Sequence, residues 1–140
     1  MADELTTAEV RETGNGAYQV EIAVSGYALT GDEPVSFGGG GTGPAPMDFL
    51  TSALGECTAM TVRWYALQQK WPLEHVAVTL THRKGGAGAS SARQDVFTKT
   101  ITLTGDALTA EQRQKLLEIA AKCPIQRVLE GTPLIHTLAG

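Results

Sequence analysis

Most of the residue patterns that announce a familiar chemistry are missing from this sequence. It has two cysteines in 140 residues, too few for a disulfide-stapled secreted scaffold. Its histidines are His75, His82 and His136. None stands at C-x-x-C or H-x-x-x-H spacing with a cysteine, so no metal site is expected. His75 and His82 fall on one expected strand, an odd number of residues apart, and so on opposite faces. Basic runs are absent too. Eleven Lys and Arg against fifteen Asp and Glu leave a net charge of −4, which argues against nucleic acid as a partner. No apolar run reaches the length of a membrane span. The opening "MADELTTAEV" is acidic and polar, unlike a secretory signal. These absences point to a cytoplasmic protein with no membrane or nucleic-acid partner.

Two further motifs fail on context. "TSALGE" lacks the G-x-S-x-G elbow of serine hydrolases. "GGGGTG", Gly38 to Gly43, formally satisfies G-x-G-x-x-G. It has no βαβ setting, no acidic residue at the ribose-binding distance and no G-K-[ST]. It reads as a hinge where the backbone turns tightly into a helix.

What is present is an ordinary globular balance, with 42% hydrophobic and 19% charged residues. That suffices for the core of one domain over residues 1–140. "AYQVEIAV" alternates as a half-buried strand. A further strand is expected within "SGYALTGDEP" and another over Thr6 to Thr13. From about Pro46 to Lys70 the period becomes helical. Leu50, Ala53/Leu54, Cys57, Met60/Thr61, Trp64 and Leu67 recur at three- and four-residue steps. Glu56 is the only charge between Phe49 and Val62, so that portion is expected to be buried nearly all round. "KWP" should end the helix. "EHVAVTLTHRK" and "VFTKTITLTG" read as an antiparallel hairpin joined by the loop "GGAGASSARQD". "LTAEQRQKLLEIAAKC" is a second helix, with Thr109 and Gln112 spaced as a capping box. Its apolar face takes in Leu116, Leu117, Ala120 and Cys123. Pro124 suits the first position of a third helix with Cys123 at its N-cap. A last strand is expected near "LIHTL". The order of elements gives the α+β class.

The two cysteines remain as chemical candidates. Composition alone favours inert packing for Cys57, and burial beside Glu56 would make its thiol less reactive. Cys123 at a helix N-terminus faces unpaired N–H groups that favour thiolate. Arg127, one turn further, either helps or is merely solvated. If the apolar stripes of the two helices pack together, the sulfurs meet as a dithiol–disulfide pair.

The stretches "GPAPMDFLTSALGECTAMTV" and "LLEIAAKCPIQRVL" resemble the OsmC/Ohr family of osmotically inducible and organic hydroperoxide resistance proteins. The resemblance runs over nearly the whole chain. It implies an OsmC-like fold and an intertwined homodimer, with strands wrapped around two long central helices. It implies a thiol peroxidase with no bound cofactor and no metal. Cys57 would attack an organic hydroperoxide and become a sulfenic acid. Cys123 would then close the disulfide, and a lipoyl-type dithiol or lipoylated protein would restore the pair. In that scheme an arginine stabilises the thiolate and a carboxylate holds the arginine. The positions corresponding to these are Arg11 and Asp48. Asp48 is shorter than the family's usual glutamate, and Gln126 replaces a histidine found in one branch. Asp48 and Cys57 lie nine residues apart, on opposite sides of one helix and roughly 13 Å apart along it. A site taking Arg11 and Asp48 from one subunit and the cysteines from the other removes that conflict. The alternatives are a hydrophobic-ligand binder and a redox sensor of the same fold.

Overall fold

The computed structural model describes residues 5–85 and 94–140. The loop read between the hairpin strands falls mostly on residues 86–93, outside the described residues. Two compact units divide the chain, Met1–Leu50 and Thr51–Gly140.

The first unit is an antiparallel meander of β1 (Ala8–Glu12), β2 (Val20–Val24) and β3 (Tyr27–Gly31). All three strands fall where the sequence led them to be expected, and β2 shows the alternation of exposure read in "AYQVEIAV". Val24 pairs with Tyr27 around a two-residue turn. Ser25 and Gly26 both take positive φ there, 50° and 83°, the geometry that fits strand twist in a tight hairpin. After β3 the glycine loop closes around one carboxylate. Asp32 is buried and accepts the N–H groups of Glu33, Gly40 and Thr42, at 2.7, 3.2 and 3.2 Å. It also accepts the Thr42 hydroxyl at 2.7 Å. The Thr42 hydroxyl does most to hold Asp32 below the usual carboxylate range; burial opposes it and the backbone donors assist. Two N–H groups of the loop therefore bind an internal anion, as a structural hinge would.

Close approach explains the glycines. A Cβ on Gly39 would overlap the Glu33 carbonyl oxygen, whereas one on Gly16 would meet nothing. Gly39→Ala is expected to lower stability by about 1–3 kcal/mol, the usual scale of overpacking. Gly16→Ala should leave it unchanged. Urea unfolding followed by circular dichroism checks both, and equal midpoints would contradict the close approach.

Helix α1 (Pro46–Gln69) begins in the first unit. Pro46 takes the first helical position, and the Asp48 carboxylate turns back onto the Ala45 N–H at 2.9 Å, half of a capping box. At the other end Lys70 adopts a left-handed φ of 58°, and the Trp71 N–H reaches the Ala66 carbonyl at 2.9 Å. This closes the helix as a Schellman turn just ahead of Pro72.

The second unit holds the rest of α1, the hairpin β4 (His75–Arg83) and β5 (Val96–Thr104), then α2 (Ala110–Ala120) and α3 (Pro124–Glu130). The strands pair antiparallel from His75↔Thr104 to Arg83↔Val96. Their inner residues Val76, Ile101 and Leu103 pack on Val62, Ala66, Leu116 and Ala120. Full burial of a large apolar side chain, as for Val62 and Leu116, contributes about 1.5–3 kcal/mol. Two arginines fasten the connections. Arg63 donates to the carbonyls of Leu73 and Glu74 at 2.7 and 3.3 Å. Arg113 donates to those of Leu103 and Gly105 at 2.9 and 2.6 Å. The capping box of Thr109 and Gln112 is formed in both directions.

Three expectations need correcting. The buried row of α1 is Leu54, Thr58, Val62 and Ala66, and the helix is not buried nearly all round. This row of mostly small side chains, with Gly55 facing Leu80, lets α1 approach the hairpin. Of the stripe read from the sequence, Leu54 belongs to this row, but Met60, Trp64 and Leu67 lie on another face and are 63, 57 and 65% exposed. Leu117 is also exposed, because Leu116 and Ala120 already fill the contact of α2. Finally, "LIHTL" is no strand. Residues 132–140 have no regular structure, and among the described residues no strand pairs with them.

Candidate active site

Cys57 and Cys123 are both free thiols. The local folding of α3 brings them together. Cys123 is its N-cap residue and Pro124 its first helical position, as the sequence suggested. The first-turn N–H groups then serve one sulfur each. Ile125 donates to Cys57 Sγ at 3.5 Å, and Gln126 donates to Cys123 Sγ at 3.4 Å. Adjacent N–H groups of one helical turn thus hold the two sulfurs at the same end of α3. The Gln126 contact is made by the backbone, so it does not depend on the side chain at that position. The side chain itself turns to Glu130 at 3.3 Å.

The surroundings of the two sulfurs differ. Cys57 is half-buried on the wall of an open apolar pocket of about 590 Å³, with Ala53, Met60, Trp64 and Ile125. Glu56 is exposed at the rim of that pocket. Cys123 has no exposed surface. Burial pushes its thiol up, but four contacts outweigh it: the Thr58 hydroxyl, the Gln126 N–H, the Cys57 thiol and the charge of Lys99. The net shift is below the ordinary thiol value.

Lys99 and Thr58 were not singled out from the sequence. Lys99 Nζ donates to Thr58 Oγ1 at 3.0 Å and to the Ala120 carbonyl at 2.6 Å. Thr58 in turn reaches the Leu54 carbonyl at 2.7 Å and Cys123 Sγ at 3.5 Å. A signal was there to find. In "VFTKTITLT" the inner positions run Phe97, Lys99, Ile101, Leu103, placing a cation in the core register of a strand.

Arg11 and Asp48 are not drawn to each other. Among the described residues Arg11 pairs with Glu9 at 3.0 Å, and Asp48 makes its hydrogen bond to Ala45. Both side chains are exposed. Arg127 is exposed as well. His75 and His82 face opposite ways, as expected, and His82 pairs with Asp95 at 2.9 Å. No group of three His, Cys, Asp or Glu among the described residues could hold a metal ion. Among the same residues no helix is long and apolar enough to cross a membrane.

Against known families, the model for OsmC-like proteins matches residues 38–137. That span includes both cysteines and every element from the glycine loop to α3. The chain belongs to the OsmC-like family. No curated protein matches it, but solved OsmC structures share the fold. An organic hydroperoxide resistance protein OsmC from Legionella pneumophila is 21% identical, with a TM-score of 0.69, covering 94% of this chain and 93% of its own. An OsmC-like protein from Mycoplasma pneumoniae is 14% identical, with a TM-score of 0.74 and coverages of 92% and 89%. A putative organic hydroperoxide resistance protein from Vibrio cholerae, with captopril in one of its active sites, is 21% identical, with a TM-score of 0.64 and coverages of 92% and 86%. At these identities the likeness carries the OsmC-like α+β fold.

Proposed function

We propose that this OsmC-like protein is a thiol-dependent peroxidase that reduces organic hydroperoxides to alcohols. The observation that carries this reading is a pair of free cysteines held by adjacent N–H groups of one helical turn, with one of the two on the wall of an apolar pocket. Access divides their roles. Cys57 lines the pocket and Cys123 is sealed, so the peroxide meets Cys57. The Cys57 thiolate attacks the distal peroxide oxygen and the O–O bond breaks. The alkoxide leaves as the alcohol after taking a proton, and Cys57 becomes a sulfenic acid. The Cys123 thiolate attacks that sulfur, the S–O bond breaks, and the hydroxide leaves as water once protonated. An external lipoyl-type dithiol then reduces the disulfide. Neither a metal nor an organic cofactor takes part.

The attacking sulfur needs a cation, and we assign that role to Arg11, held by Asp48, from a second copy of the chain. Two observations support a homodimer: the uncovered apolar face of α1 at Met60, Trp64 and Leu67, and the exposure of Arg11 and Asp48. The same pocket also fits a protein that binds hydrophobic ligands, and a redox sensor would share the cysteine pair. Intact mass after one equivalent of cumene hydroperoxide separates these. The peroxidase is expected to lose two hydrogens and to turn over with dihydrolipoamide. Unchanged mass would reject both redox readings, and oxidation without efficient turnover would identify the sensor.

A further inference from the structure

We propose that Lys99 is the chain's own positioning cation for Cys123, acting through the hydroxyl of Thr58 to speed disulfide closure. This rests on the peroxidase reading and adds to it a separate charge for the second sulfur.

The placement is unusual. Lys99 stands on the inner face of β5, where its neighbours in register are Phe97 and Ile101. Burial of a lysine stem with its ammonium among helix ends requires polar partners. Among the described residues Lys99 has two, the Ala120 carbonyl at 2.6 Å and Thr58 Oγ1 at 3.0 Å. The first would be satisfied by a merely structural lysine, because Ala120 ends α2 and exposes a carbonyl at the negative end of its dipole. The second has a different consequence. By donating to Thr58 Oγ1, the ammonium occupies a lone pair of that oxygen and leaves Thr58 as a donor. Its one hydroxyl proton is shared between the Leu54 carbonyl at 2.7 Å and Cys123 Sγ at 3.5 Å. As Cys123 ionises, the proton swings to the sulfur, since a hydrogen bond to a charged acceptor is the stronger one.

The chemistry needs such a device at this sulfur. Disulfide closure requires Cys123 as thiolate: the S–S bond forms, the S–O bond of the Cys57 sulfenic acid breaks, and hydroxide departs. The Cys123 sulfur is oxidised and the Cys57 sulfur reduced. With no exposed surface, Cys123 cannot rely on water to stabilise its charge. Its lowered pKa agrees with the geometry. The other charged and titratable groups nearby are the Cys57 thiol, Asp95 and Glu130 in the pocket beside Lys99, and Glu56 and Lys122 in the pocket beside Cys57. Asp95 is paired with His82, and of these groups Lys99 alone touches the Thr58 bridge.

Rapid-quench mass spectrometry tests this by resolving two steps, sulfenic acid formation with cumene hydroperoxide and then disulfide closure, across pH. Lys99→Met is expected to keep the first rate and to slow the second about tenfold at neutral pH, the effect of one pKa unit. The midpoint of the closure profile should rise, and Lys99→Arg should restore most of the rate. Thr58→Val should act in the same direction, and adding Lys99→Met to it should cost less than Lys99→Met costs alone, leaving only the direct effect of the Lys99 charge. If Lys99→Met does not fold, Thr58→Val and Lys99→Arg carry the comparison. A midpoint unchanged by both Lys99→Met and Thr58→Val would overturn the proposal. A readout free of peroxide keeps the two readings apart. In Cys57→Ser, the thiolate absorbance of Cys123 at 240 nm should titrate higher with Lys99→Met than without it. Should wild type form no disulfide, the peroxidase reading fails, and this titration still decides the role of Lys99.

Discussion

Cys57→Ser is expected to abolish the fast reaction with organic hydroperoxide, whereas Cys123→Ser should keep it and stop one step later. The asymmetry follows from where the sulfurs sit. Cys57 is on the wall of the apolar pocket, and Cys123 has no exposed surface. A bulky hydroperoxide therefore collides productively with Cys57. A serine hydroxyl there is a far poorer nucleophile than a thiolate, so the bimolecular rate constant should fall on the order of 10³-fold or more, the scale on which removal of a nucleophile acts. In Cys123→Ser the same attack proceeds, but no second sulfur displaces the hydroxide. Intact mass should then show one added oxygen, trapped by dimedone as a stable adduct, and excess peroxide should drive it to the sulfinic acid. The lowered Cys123 pKa sharpens the test. If charge rather than access decided the attacker, Cys57→Ser would react nearly as fast as wild type and gain the oxygen on Cys123. That result would exchange the two roles.

How far this site could be read in the sequence varied with the range of the interactions involved. The N-cap position of Cys123 and the capping box of α2 depend on residues within one turn, and local rules found both. The hairpin followed from alternation, whereas a meeting of the sulfurs was legible only as a condition, that two apolar stripes pack. The same alternation concealed Lys99, because a hydrophobic count along β5 passes over one charged residue in the core register. The covered face of α1 was misread for a related reason. The helix carries two apolar faces, one of small residues and one of large, and periodicity weights the large ones. The row of Leu54, Thr58, Val62 and Ala66 is the one that packs within the chain. Thr58 could not stand out before β5 brought Lys99 beside it. For Arg11 and Asp48, local chemistry explains what is seen, a neighbouring ion pair and a helix cap. Their proposed role belongs to an assembly of two chains.

That assembly gives the second large effect. Leu67→Glu is expected to produce a folded monomer that has lost most of its peroxidase rate. Leu67 is 65% exposed and does not line the pocket of Cys57. Within one chain a glutamate there faces water, and surface changes of this kind stay within about 0.5 kcal/mol. In a dimer built on the large-residue face of α1 the same glutamate is an unpaired charge in an apolar interface, which is costly to bury. Sedimentation should show half the wild-type mass, with circular dichroism and thermal midpoint little changed. The kinetic consequence comes from the lost cation. An adjacent arginine lowers the pKa of an acid by about one to three units, so its removal should cut the rate constant of Cys57 roughly 10- to 10³-fold near neutral pH. Arg11→Met separates assembly from charge: it should sediment as a dimer and still lose a comparable factor. A Leu67→Glu monomer with full activity would show that one chain holds the complete site. An Arg11→Met dimer with full activity would leave Cys57 to be served by a different cation.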